Sequence, residues 1–137
     1  MQFNKLIPEL IVTDLKKSLE FYVDILGFKI EYKRENFAFI SFQGSQLMLE
    51  QNLDSDWNTG KLEHPFGRGI NFQIEVEDAG LLLDSLKKNN CPLKMELKEN
   101  WYRKDNKLLG QKEFLVQDPD GYLLRFAQEI GEKEIKN

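Results

Sequence analysis

Residues 110–127 read GQKEFLVQDPDGYLLRFA, and this stretch decides the fold. Phe114, Leu115 and Val116 form an apolar run, Asp118-Pro119-Asp120-Gly121 carries turn chemistry, and residues 122–126 run back as a second strand. Pro119 presets φ at the second turn position, and Gly121 accepts the positive φ that often follows. On the return strand Tyr122, Leu124 and Phe126 share one face, while Leu123, Arg125 and Ala127 share the other. Arg125 is therefore a cation set into an otherwise apolar strand.

Outward from this hairpin, one order of elements occurs twice. Residues 3–12 read as a strand interrupted by Pro8, which removes a ladder donor and marks an edge or a crossing. Thr13-Asp14 then caps a helix with Leu15, Leu19, Tyr22, Ile25 and Leu26 at helical spacing, ending at Gly27. Strands follow at 29–32, 37–42 and 46–50. The second round starts with alternation over 70–76. Asp78 caps a helix with the stripe Ala79, Leu82, Leu83 and Leu86, and strands follow at 93–97, 114–117 and 122–127.

The strand-to-helix corners at Asp14 and Asp78 are 64 residues apart, and the last-turn glycines Gly44 and Gly121 are 77 apart. The second half thus carries about thirteen extra residues, expected around 98–107 with Trp101 and Tyr102. The spacing predicts an α+β fold: tandem βαβββ modules whose curved mixed sheets surround a concave cleft, with the helices outside. The first module spans 1–51 and a linker 52–69. The second module spans 70–128, and 129–137 is a charged, frayed tail. All four parts form a single structural domain. Leu6, Leu10 and Val12, like Ile70, Phe72, Ile74 and Val76, should face the helices. Glu9, Asn71, Gln73, Glu75 and Arg125 should line the concave side.

Composition narrows the function. A net charge of −4 disfavours nucleic acid, because phosphate binding needs clustered Lys and Arg. No apolar run approaches bilayer length and the N-terminus lacks a secretory signal, so a cytoplasmic location without membrane contact is expected. The single cysteine, Cys91, excludes an intramolecular disulfide. The single histidine, His64, falls in the linker, so no Cys/His or Ser/His nucleophilic pair is expected.

The βαβββ duplication, the entry DLKKSLEFYVDILGF and the close QDPDGYLLRFA resemble the vicinal oxygen chelate superfamily. That superfamily includes glyoxalase I, extradiol dioxygenases, fosfomycin resistance enzymes and bleomycin resistance proteins. Its enzymes usually hold a metal through His and Glu at matching strand positions of the two halves. The matching positions here are Ile7, Met48, Asn71 and Arg125, none of them a His or carboxylate. Such a set cannot build the N/O shell of a divalent ion, and Arg125 repels one.

The resemblance therefore implies the metal-free, cofactor-free branch typified by bleomycin resistance proteins. These are homodimers that sequester the drug in interface clefts without changing it. In that reading Pro8 marks where the N-terminal strand crosses to the partner, and Glu31, Tyr32 and Phe37 match residues lining the drug cleft. Glu50 stands where the family often has a small polar residue, Leu109 replaces a usual tryptophan, and Gln73 replaces an aromatic. A large cationic ligand with a flat ring system needs aromatic faces and acids. Tyr32, Phe37, Trp57, Trp101 and Tyr102 are the candidate faces, and Glu31, Glu50 and Glu75 the candidate acids. Arg125 is expected to pair with a carboxylate such as Glu75, since an unpaired buried cation is costly. The alternative is a glyoxalase- or dioxygenase-type enzyme acting on a small metabolite.

Overall fold

The computed structural model describes residues 1–136. In order, it contains β1 (Glu9–Ile11), α1 (Leu15–Leu19) continuing into a π-helical stretch (Glu20–Ile25), β2 (Lys29–Arg34), β3 (Phe37–Phe42) and β4 (Ser45–Glu50). After the linker come β5 (Asn71–Glu75), α2 (Ala79–Lys88), β6 (Leu93–Lys104), β7 (Lys107–Gln117) and β8 (Leu123–Glu134). The strands form two four-stranded sheets, ordered β1-β4-β3-β2 and β5-β8-β7-β6. In each sheet the first and last strands of the module pair in parallel and the remaining pairs are antiparallel. The α+β class and the doubled βαβββ order are those that the spacing predicts. Among the described residues no helix is long and apolar enough to cross a membrane.

The chain divides into two compact units: Met1–Ile70 with Asp118–Tyr122, and Asn71–Gln117 with the residues from Leu123 onward. Both units start their helices by the same device. Asp14 Oδ1 accepts from Lys16 N and Lys17 N, and Asp78 Oδ1 accepts from Gly80 N and Leu81 N. These side chains satisfy amides that a helix N-terminus leaves without partners. A glutamine, Gln51 just past β4 and Gln128 within β8, accepts from a third amide of each helix start. Gln51 Oε1 takes Leu15 N at 2.7 Å, and Gln128 Oε1 takes Ala79 N at 3.0 Å.

In the first unit Leu10, Ala38, Ile40, Leu47 and Leu49 are buried together with Phe21, Tyr22, Leu26 and Phe28. The segment Asp118–Tyr122 belongs to this core. Tyr22 Oη donates to Asp118 Oδ2 at 2.7 Å, Thr13 Oγ1 donates to Asp120 Oδ1 at 2.6 Å, and Tyr122 Oη donates to the Ile11 carbonyl at 2.8 Å. In the second unit Ile74, Leu82, Leu83, Leu86, Phe114, Val116, Leu124 and Phe126 form the core between sheet and α2.

Three expectations need correction. The first strand is Glu9–Ile11 rather than 3–12, because Pro8 has no donor, and Leu6 is 85% exposed instead of facing the helix. Ile70 likewise precedes β5 and is half exposed. The extra residues fall around 98–107 as expected and lengthen β6 and β7 beyond 93–97 and 114–117 into a hairpin that turns at Asp105-Asn106, with Asp105 at φ 55°. β8 follows β7 along this extension as far as Glu134, paired with Lys107, so residues 129–134 of the charged tail are strand rather than frayed; the tail's last residue, 137, lies outside the described residues.

Buried Asp118 gives the fold a pH dependence. Burial, together with nearby Asp120, outweighs the hydrogen bonds from Tyr22 and the Tyr122 and Asp120 amides, and its pKa rises from 3.8 to about 6. A raised folded pKa means the folded state holds the proton more tightly. The stabilising contribution is thus full below pH 3.8 and lost as pH climbs through about 6. Two pKa units correspond to about 3 kcal/mol. In Asp118→Asn the amide oxygen keeps the Asp120 and Tyr122 amides and the group does not titrate. Urea melts at pH 4 and pH 7 are expected to show the variant gaining about 2 kcal/mol on the parent across that interval, since at pH 4 the contribution is not yet full. A difference that stays constant with pH would count against this assignment.

Candidate functional site

The second unit carries a cavity of about 300 Å³ on the sheet face opposite α2. It is lined by Asn71, Met95, Lys98, Asn100, Tyr102, Glu113, Leu115, Leu123 and Arg125. Strand alternation places these side chains on one face. In the β7–β8 pair Glu113 lies opposite Ala127 and Leu115 opposite Arg125, so Glu113 and Arg125 are diagonal neighbours. Arg125 Nε donates to Glu113 Oε2 at 2.9 Å. Asn100 Nδ2 donates to Glu113 Oε1 at 2.7 Å, and the Tyr102 hydroxyl donates to the same oxygen. The Arg125 guanidinium carbon lies 5.5 Å from the Tyr102 ring centre.

Glu113 is 2% exposed. Burial alone raises its pKa, but the hydrogen bonds from Tyr102, Asn100 and Arg125 outweigh burial and hold the carboxyl below its usual value. The same bond to Glu113, with burial second, raises the pKa of the Tyr102 phenol. The cluster is thus a fixed carboxylate wrapped by three donors.

Arg125 does meet a carboxylate, but it is Glu113 and not Glu75, which is exposed on β5 and absent from the cavity wall. Of the other sequence candidates, Asn71 and Tyr102 line this cavity with Arg125, while Gln73 lies opposite Arg125 across the β5–β8 pair. Trp101 occupies the other face of β6. Its indole covers Gly110, where an added Cβ would come within 2.6 Å of the ring, and Lys133 Nζ sits 3.8 Å from the ring centre.

In the first unit Tyr32 stacks on Phe37 and Phe39, Phe3 meets Tyr32 and Phe39 edge-on, and the Arg34 guanidinium lies 3.8 Å above Phe37. Phe37 is consequently buried. Glu31 accepts from Ser41 Oγ at 2.8 Å. Met48 lies opposite Glu9, and Pro8 precedes β1 with its carbonyl accepting from Met48 N. Trp57, 82% exposed, lines a second cavity of about 300 Å³ with Glu9, Ile11, Asn58, Thr59, Leu62 and Tyr122. Burial, and then the charge and hydrogen bond of Glu50, raise the Glu9 pKa.

The residues present do not fit the metal that enzymes of the resembled superfamily use. Ile7 precedes β1, and Arg125 brings a bound cation to one of the four positions. Among the described residues no three His, Cys, Asp or Glu side chains are grouped to hold a metal ion. The cavity residues missed in the sequence are Glu113, Asn100 and Lys98 among the polar ones and Met95, Leu115 and Leu123 among the apolar ones. Starting the strand at Phe114 hid Glu113. Once the turn sets Gln117 opposite Leu123, counting back four places puts Glu113 beside Arg125.

Comparison with known proteins agrees with the fold and the doubled module. A bleomycin resistance protein from Geobacillus stearothermophilus is 30% identical over 90% of this chain and 96% of its own length. A lactoylglutathione lyase from Haemophilus influenzae is 26% identical over 85% of this chain and 86% of its own. The crystal structure of TioX from Micromonospora sp. ML1 superposes with a TM-score of 0.73 over 93% of this chain and all of the other, at 16% identity, a likeness of fold alone. The family profile described as Glyoxalase/Bleomycin resistance protein/Dioxygenase superfamily matches residues 4–126. With the paired sheets, the repeated corners and that match over most of its length, the chain belongs to the glyoxalase/bleomycin resistance protein/dioxygenase superfamily.

Proposed function

We propose that this chain is a metal-free small-molecule binding protein of the bleomycin-resistance type. It sequesters a glycopeptide-like drug or related ligand without altering it, and acts as a cytoplasmic homodimer. The observation that carries this reading is the state of Glu113. A general base needs an accessible carboxylate with a pKa raised toward neutrality. Glu113 is buried, held ionised, and already accepts from Asn100, Tyr102 and Arg125. The cavity around it is built to bind and has no proton acceptor to spare. Kinship with bleomycin resistance proteins supplies the ligand class. For such a drug, exposed Trp57 offers a stacking face, and Glu9 beside Glu50 offers charge for its cation.

Calorimetric titration with metal-free and copper-loaded bleomycin, with tryptophan fluorescence and sedimentation in parallel, tests this. Binding with Kd below about 1 mM, at the mass of two chains, is expected. An absence of heat and fluorescence change at that level removes the drug. Similarity to a lyase favours one competing reading, an enzyme of the same fold. Stoichiometric Fe, Mn, Zn or Ni in the purified protein would favour that enzyme instead.

A further inference from the structure

We propose that the β6–β7–β8 cavity binds a small amphipathic carboxylic acid, its carboxylate on Arg125 and Lys98 and its apolar body against Met95, Leu115, Leu123 and the Tyr102 ring. This rests on the reading of the cavity as a binding site, and is independent of whether a drug binds elsewhere on the chain.

Charge selects the ligand's sign. The wall holds two cations, Lys98 and Arg125, and one carboxylate, Glu113. Glu113 spends its charge inside the wall: both oxygens accept bonds from wall residues, and it is 2% exposed. With three donors already on a buried carboxylate, a bound cation would gain little from it and would face two like charges. Glu75, on the same face of β5, is not part of the cavity wall.

Geometry selects the group. Arg125 uses Nε for Glu113, and its two terminal amino groups donate no hydrogen bond among the described residues. Its side chain is 27% exposed, so those amino groups are only partly desolvated. Glu113 and the Tyr102 ring hold the guanidinium in place, which removes much of the ordering cost of binding. An oriented guanidinium with free terminal donors suits a planar two-oxygen acceptor. The Asn71 amide adds a neutral donor at the same wall. Met95, Leu115 and Leu123 then leave an apolar floor with no polar group to satisfy, and about 300 Å³ lies at the small end of ligand pockets.

Three isosteric probes test the proposal by calorimetry: 3-phenylpropionate, 3-phenylpropanamide and 3-phenylpropylamine. The acid is expected to bind at least about tenfold more tightly than the amide, because a charge-assisted bond replaces a neutral one. The amine should bind more weakly still, and 0.5 M NaCl should weaken the acid. Lys98→Gln changes an exposed side chain and should weaken the acid about threefold while leaving the amide unchanged. Arg125→Lys keeps the charge beside Glu113 but loses the planar fork, and should weaken the acid about tenfold. Equal binding of acid and amide, preference for the amine, no acid binding below about 10 mM, or unchanged affinity in both variants would each overturn it. If bleomycin binds and the acid does not, only this inference falls. If the acid binds and bleomycin does not, only the drug falls.

Discussion

Replacing Glu113 with Ala should destabilise the protein by about 2–4 kcal/mol and abolish binding at the β6–β7–β8 cavity. The carboxylate is 2% exposed and receives three side-chain donors, and Ala deprives Asn100, Tyr102 and Arg125 of an acceptor at once. Breaking a fully buried ion pair costs about 3–5 kcal/mol, but Arg125 keeps 27% exposure and can recruit water, which lowers the figure. Glu113→Gln isolates the charge, since it preserves shape yet turns a donor toward Arg125 Nε. The pH dependence separates the two contributions. A folded pKa below 4.5 means the stabilisation is present above that pH and lost as pH falls through the folded value. The parent should therefore lose stability at acid pH by an amount that Glu113→Gln does not. Denaturant melts from pH 7 down to pH 3 measure it. An Ala variant within 0.5 kcal/mol of the parent, about the level of a neutral surface change, would remove Glu113 from its central place.

Gly121→Ala should cost about 3–4 kcal/mol. Gly121 sits at φ +96°, where an L side chain is strained by about 1–2 kcal/mol. The methyl would also stand 2.5 Å from Cα and Cβ of Pro65 and 3.1 Å from Phe66 N. Those atoms cannot step aside cheaply, because Phe66 N is bonded to the Asp120 carbonyl at 2.8 Å. Gly44→Ala is the control: φ is +89° there, yet nothing lies within 4 Å of an added Cβ. It should cost only the conformational strain, about 1–2 kcal/mol. Thermal melts of the two variants side by side decide the matter. Equal shifts would mean that φ alone matters and that the contact with Pro65 carries no weight.

The linker residues Pro65 and Phe66 show where reading the chain in order stops. In the sequence they belong to a connection; in the fold they pack on the turn at Asp118–Tyr122, more than fifty residues later. The QDPDG turn was legible as a turn, and its two aspartates as turn formers. That Asp118 meets Tyr22 and Asp120 meets Thr13 was not, because neither pairing has a local period.

The tail followed the same logic in reverse. Its charge predicted fraying, but β7 lengthened beside it and supplied backbone partners as far as Glu134. A ladder of that kind does not depend on side-chain hydropathy.

The candidate site divides similarly. Arg125 stood out by itself as a cation in an apolar strand, and the need for a carboxylate followed from the cost of an unpaired buried charge. Which carboxylate depended on register across β7–β8, where a two-residue slip changes the diagonal neighbour.

The sequence by itself determined the doubled βαβββ order, the capped corners at Asp14 and Asp78 and the superfamily, since periodicity, caps and turns act over a few residues. Only the tertiary structure decided that Glu113, held by Asn100 and Tyr102, pairs with Arg125 in the wall of a cavity. That arrangement arises from strand register and desolvation, which act between residues the chain brings together only on folding.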